Sequence, residues 1–220
     1  MTVTIYSTHP EGHTFDGVAE ILRTIGCPTG LRTTTPFGDA ELFQLPRFGP
    51  ARCEHTRRWS THDRFPVAVV LSAAELGYPI DHLGKSAITA AVRRTKFTRE
   101  LLQRLSAVPG VLYGTVDIEQ PVPTPTALPS LRLPLDLYLS NTLLLPDTVR
   151  HLDQLYAGAE GSSITWSHGR FYTTLPDPRG MRRRRPDNEN LSAAVTATVA
   201  RAITSLPPSK NPVDAAAADR

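Results

Sequence analysis

Alternation and helical periodicity divide the chain into short elements. Residues 2–7 (TVTIYS) alternate and are β-branched, the pattern of a strand. Phe15, Val18, Ile21, Leu22 and Ile25 then share one helical face, which predicts a helix from near Thr14. Gly26 stops it and Pro28 follows. Residues 31–35 and 41–46 flank PFGD and predict a hairpin. Residues 47–66 read as loop, and VAVVL (67–71) reads as a buried strand.

The middle of the chain predicts a helix within 86–95 and a second one from Thr98. Phe97 and Leu102 there have the spacing of a hydrophobic staple, and Pro109-Gly110 ends the helix. Residues 111–119 form a strand, with Leu112, Val116 and Ile118 on one face and Asp117 and Glu119 on the other. Residues 120–134 are proline-rich and must be an ordered extended loop or a linker. A strand at 135–140 follows, then a helix from Asp147 to Gly158 with Val149, Leu152 and Tyr156 on its stripe. Residues 162–175 form a hairpin turning at His168-Gly169, which pairs Trp166 with Phe171 and Ile164 with Thr173 on a core face. Leu191, Val195, Val199 and Ile203 predict a last helix over 191–205. Residues 207–220 are small, polar and proline-rich, and read as a flexible tail.

These elements predict one α+β domain over 1–206, with a mixed or antiparallel sheet and helices packed mainly on one side. The order βαββ occurs twice, in 1–46 and in 135–176, and both stretches close on Leu-Pro. Side-chain identity between them is poor, so duplication and chance recurrence both stand.

Composition changes this picture little. A chain of 220 residues buries a core without disulfides or metal. The formal charge is +3, and removing Arg182, Arg183, Arg184 and Arg185 gives 3 − 4 = −1, so the basic balance is local. Only three of the 24 basic residues are lysines, which looks like GC-rich coding. Two cysteines form no framework and suit a reducing interior. The start lacks the charged and apolar regions of a signal peptide, and no apolar run reaches membrane-spanning length. A cytoplasmic protein without a membrane partner is expected.

Four constellations bear on chemistry. His9, Glu11 and His13 follow a strand and precede a helix, where two imidazoles and a carboxylate could bind metal or exchange protons. Pro10 and Gly12 break the helical spacing of a zinc motif, and no third ligand stands out. Cys53, His55, His62 and Asp63 offer ligand types without a finger spacing. Gly84-Lys85-Ser86 follows VAVVL, but the phosphate-binding loop needs Gly five positions earlier, where Pro79 stands. Finally, Arg57, Arg58 and Trp59 and the run Arg182–Arg185 make basic surface. A guanidinium fork suits carboxylate as well as phosphate. Arg182–Arg185 precede Asp187 and Glu189, acids suited to a helix start.

The stretches VLYGTVDIEQPVPTPTAL, LYLSNTLL and WSHGRFYTTLP carry a likeness. Residues 111–175 resemble small α+β immunity proteins of bacterial polymorphic-toxin systems, over less than a third of the chain. The resemblance implies a protein that neutralises a toxin by binding it, without catalysis. Such families vary at their binding faces, so it transfers no functional residue. The expectation is a non-catalytic protein-binding inhibitor that needs no cofactor. It would meet an acidic protein surface through Arg57, Arg58, Trp59, Arg182, Arg183, Arg184 and Arg185. The alternatives are a metal- or His-dependent enzyme using His9, Glu11 and His13, and a nucleic-acid-binding protein using the Arg-rich loops.

Overall fold

The computed structural model describes residues 2–8, 11–26, 29–35, 38–45, 48–55, 67–71, 85–117, 122–174 and 188–206. The strands are β1 (Thr2–Ser7), β2 (Thr29–Thr35), β3 (Gly38–Leu45), β4 (Gly49–His55), β5 (Val67–Leu71), β6 (Val111–Asp117), β7 (Leu137–Ser140), β8 (Ser162–Trp166) and β9 (Gly169–Thr173). The helices are α1 (Glu11–Thr24), α2 (Lys85–Leu105), α3 (Pro146–Gly158) and α4 (Asn188–Thr204). All nine strands join one sheet in the order β2-β3-β4-β5-β1-β6-β7-β9-β8, and every adjacent pair is antiparallel. The α+β class expected from the pattern is the class observed.

The expectation that the helices lie mainly on one side is not met. Val3, Ile5, Phe43, Cys53, Val69, Val116, Tyr138 and Phe171 form one core layer with Phe15 and Leu22 of α1 and Leu101, Leu102 and Leu105 of α2. Their sequence neighbours Tyr6, Leu137, Leu139 and Tyr172 turn to the other face. There they pack with Leu152 and Tyr156 of α3 and Leu191, Val195 and Val199 of α4. Successive residues of a strand point to opposite faces, so α1 and α2 cover one face and α3 and α4 the other.

The order βαββ does occur at both ends, but the first stretch does not close on itself. Between β3 and β1 stand β4 and β5, whereas β9 lies directly beside β7. The recurring unit is a strand, a helix, a meander whose last strand returns beside the first, and a second helix.

Three local expectations are corrected. Residues 49–55, within the stretch whose pattern predicts loop, form β4 between β3 and β5. Ala51 and Cys53 are buried while Arg52 is exposed, a true alternation that Pro50 and the surrounding charge obscure. The two helices expected around 86–108 are one. Thr98 does not cap a new helix, because its hydroxyl donates back to the carbonyls of Arg94 (3.0 Å) and Thr95 (2.9 Å) inside the continuous turn. Phe97 stacks on Phe48 at 4.2 Å between ring centres. Leu112 and Val116 do not share a core face, because a register shift beside Tyr6 and Ser7 interrupts the β1–β6 ladder and sends Leu112 to the other layer.

The proline-rich segment, described from residue 122 onward, is an ordered loop rather than a linker. Tyr113 donates to the Pro123 carbonyl (2.6 Å) and Tyr156 to that of Leu135 (2.9 Å). Leu133 is held to α4 at both ends of its peptide unit. Its N–H donates to Thr196 Oγ1, and its carbonyl accepts from the Ser192 hydroxyl. Prolines cannot donate, but carbonyls in such a segment still accept, and buried phenols need an acceptor.

The last hairpin is also re-registered. Trp166 pairs with Gly169 and Ile164 with Phe171, so the turn is Ser167-His168 rather than His168-Gly169. Gly169 is needed for another reason: an added Cβ would collide with the Leu139 carbonyl oxygen and stand 2.8 Å from the Tyr138 ring. Gly169→Ala is therefore expected to destabilise the fold by about 2 kcal/mol. Urea unfolding followed by near-UV circular dichroism measures this, and a loss near zero means β9 can move away from β7.

Candidate protein-interaction surface

The residues singled out from sequence fall unevenly on the structure. Arg57, Arg58, Trp59, Arg182, Arg183, Arg184 and Arg185 lie outside the described residues, as do His9, His62 and Asp63. Glu11 and His13 belong to the first turn of α1, where His13 is exposed. Among the described residues, no three His, Cys, Asp or Glu side chains gather as they would around a metal ion. His55 ends β4, two residues after Cys53.

Cys53 is fully buried in the core layer under α1. Burial pushes its thiol far above the usual range, and the carboxylates of Glu41 and Glu54 push it further, against the opposing charge of Arg32. A thiol held protonated without access to solvent is an inert core residue, suited neither to attack a substrate nor to ligate a metal.

Sequence reasoning missed a buried polar cluster between α2 and the C-terminal strands. Arg99 of α2 donates to Asp136 (3.3 Å) and to the Thr173 hydroxyl (3.0 Å), and Thr173 donates to the other Asp136 oxygen. The Arg99 guanidinium also lies over the Phe171 ring at 5.6 Å. Side-chain exposure is 16% at Arg99 and 11% at Asp136. Burial raises the Asp136 carboxyl above its ordinary value, opposed by Arg99 and the Thr173 hydrogen bond. A carboxylate whose two oxygens are both occupied within the core is a clasp, not a base. No spacing could have revealed it, because its members come from three elements far apart in sequence.

The exposed surface offers more. On the face away from α1 and α2, β3 and β4 present Leu42, Gln44, Arg52 and Glu54, since Phe43, Leu45, Ala51 and Cys53 face the core. Leu42 stands directly opposite Arg52, which pairs with Glu54 at 2.7 Å. Helices α3 and α4 join the layer over β6, β7 and β9, and Leu42 remains 51% exposed. Leu31 of β2 is 72% exposed. Arg32 pairs with Glu41, which brings Leu31 near Leu42 at the register shift between Thr29 and Arg32 in the β2–β3 ladder. Two adjacent large apolar side chains rimmed by an ion pair and an amide make an interface-like patch.

Two outcomes check these assignments. Asp136→Ala should cost about 3 kcal/mol by leaving Arg99 buried without its carboxylate, and Arg99→Met with Asp136→Leu together should cost less than that single change. Denaturant midpoints of the three proteins decide it. Site-resolved alkylation should leave Cys53 unmodified by iodoacetamide until denaturant unfolds the chain. Labelling of Cys53 under native conditions would contradict its burial.

Compared with known proteins, the chain matches no family model, no curated protein and no solved structure.

Proposed function

We propose that this protein works by capture, as a non-catalytic cytoplasmic inhibitor of another protein, of the toxin-neutralising kind that residues 111–175 resemble. The observation that carries the reading is the exposed pair Leu31 and Leu42 on β2 and β3, beside Arg52 and Gln44. An apolar centre with a polar rim is the composition of a protein interface. It is a poor start for a catalytic site, which needs concave walls and converging polar groups. In this reading Arg57, Arg58, Trp59 and Arg182–Arg185 add the charged part of the surface, and the partner carries an acidic patch. Among the described residues no helix is long and apolar enough to cross a membrane.

Co-expression with the products of neighbouring genes tests the idea, with a stable complex expected on size exclusion. Leu31→Asp with Leu42→Asp should change stability by no more than roughly 1 kcal/mol, because Leu31 is largely and Leu42 half exposed. The pair should weaken the complex about tenfold or more by calorimetry, as an apolar interface centre requires. Undiminished affinity takes this patch out of the contact, and failure of every neighbouring product to bind removes the capture reading.

A further inference from the structure

The two edges of the sheet are β2 and β8, and they are built differently. On β2, Arg32 is tied to Asp16 and Asp39, each at 3.2 Å, and the ladder register shifts between Thr29 and Arg32. A charge and an irregularity both hinder an approaching strand. The sequence of β8, SSITW, has no charge and no proline, and its register with β9 is unbroken from Ser162 to Trp166. Ser163, Ile164 and Thr165 are all exposed, Ile164 at 47%.

The bonding of β8 fixes what its free edge presents. In a hairpin closed by two residues, the closing pair Trp166 and Gly169 exchange both hydrogen bonds. By alternation Ile164 and Ser162 also turn their peptide groups inward, and Ser163 and Thr165 turn theirs outward.

We propose that a second copy of this chain pairs with β8 about a twofold axis through Ile164. In this antiparallel register Ser163 meets Thr165 of the other copy, twice, so each outward N–H and carbonyl of the two residues finds a partner and four hydrogen bonds form. Ile164 meets Ile164 at a non-hydrogen-bonded position, where side chains approach most closely. Ser162 meets Trp166 on the same face, and beyond the strand Glu160 stands opposite His168, both exposed. No like charges face one another in the paired strands. Ile164 shares its face with Trp166, which stacks on Phe171 at 4.9 Å and 4° and on Tyr138 at 5.5 Å. Joining two copies runs this aromatic layer across the axis and covers Ile164. The occupant favoured is a second copy, because the strand is complementary to itself in bonding and in the central apolar residue and sets no charge against itself. The contact is independent of the Leu31–Leu42 patch, which lies at the opposite edge of the sheet.

Sedimentation equilibrium of the full chain, from about 10 µM to about 1 mM, spans the range expected of an edge-strand contact. The weight-average mass should rise toward double across the series. Thr165→Pro removes only an outward N–H, so it should keep the wild-type melting temperature and remain a monomer throughout. In a Cys27→Ser background, Ile164→Cys should form a disulfide-linked dimer on mild oxidation, since a non-hydrogen-bonded antiparallel pair has a Cα separation of about 4.5 Å, within disulfide reach. Ser162→Cys, whose opposite residue is Trp166, should not. A wild-type chain that stays monomeric at all concentrations, or equal cross-linking at positions 162 and 164, overturns the proposal. So does a monomeric chain whose Thr165→Pro variant loses a different protein partner, because β8 then receives a foreign strand.

Discussion

The handedness of strand–helix–strand crossovers governs this molecule. From the strand order, β1 and β2 run parallel, as do β5 and β6, and β7 and β8. Each pair is joined through a helix, and such crossovers are right-handed almost without exception, because twisted strands pack the helix back only that way. The β1–β2 crossover travels toward one edge of the sheet. The β7–β8 crossover starts from a strand of the same direction and travels toward the other edge. Two right-handed turns leaving in opposite directions must lie on opposite faces. The β5–β6 crossover starts from a reversed strand and travels back, which returns α2 to the face of α1. The two core layers follow this arrangement.

That constraint shapes the rest. Among the described residues, α1 and α2 pack on a core layer that runs from β3 to β9, and α3 and α4 pack on the opposite layer over β6, β7 and β9. The two halves thus share a core layer, and polar contacts add to the joint between them. Arg99 supplies one by reaching from α2 to Asp136 and Thr173 in the C-terminal strands. On the other face Tyr6 and Tyr113 stack at 5.2 Å, and the tyrosine hydroxyls of Tyr113 and Tyr156 hold the segment that leads from β6 to β7. Burying an ion pair is a weak source of stability, but it is selective, because only the correct apposition of the halves satisfies both charges.

Much of this was legible in the sequence, and the failures share a cause. Elements with a clean period, such as β1, α1, β5, α3 and α4, were found because the burial of one face writes itself into the spacing. The losses came where one residue served two purposes. Gly169 looked like a turn residue because glycine suits turns, yet its missing Cβ admits the Leu139 carbonyl. Thr98 looked like a cap because threonine suits caps, yet its hydroxyl bonds back into α2. Pro50 and Arg52 hid β4, although Ala51 and Cys53 kept its alternation. The faces of the helices were lost differently. They depend on which strands are neighbours, and local spacing carries no information about that. The same holds for Arg99, Asp136 and Thr173, while the arginines that drew attention in the sequence stand outside the described residues.

What an exposed apolar residue means depends on its neighbours. A lone leucine on a surface needs no explanation, because folded proteins expose much apolar area. Leu42 shares its face with the polar side chains Gln44, Arg52 and Glu54 and with the buried Ala40. β2 reads TGLRTTT, polar almost throughout. Against that background Leu31 and Leu42 break the pattern at the same place, on adjacent strands in neighbouring register positions. A polar residue at either position would leave the fold's buried layers untouched. Two coincident departures that contribute little to the core are the feature of this face that a covering partner would account for, and the proposed capture rests on them.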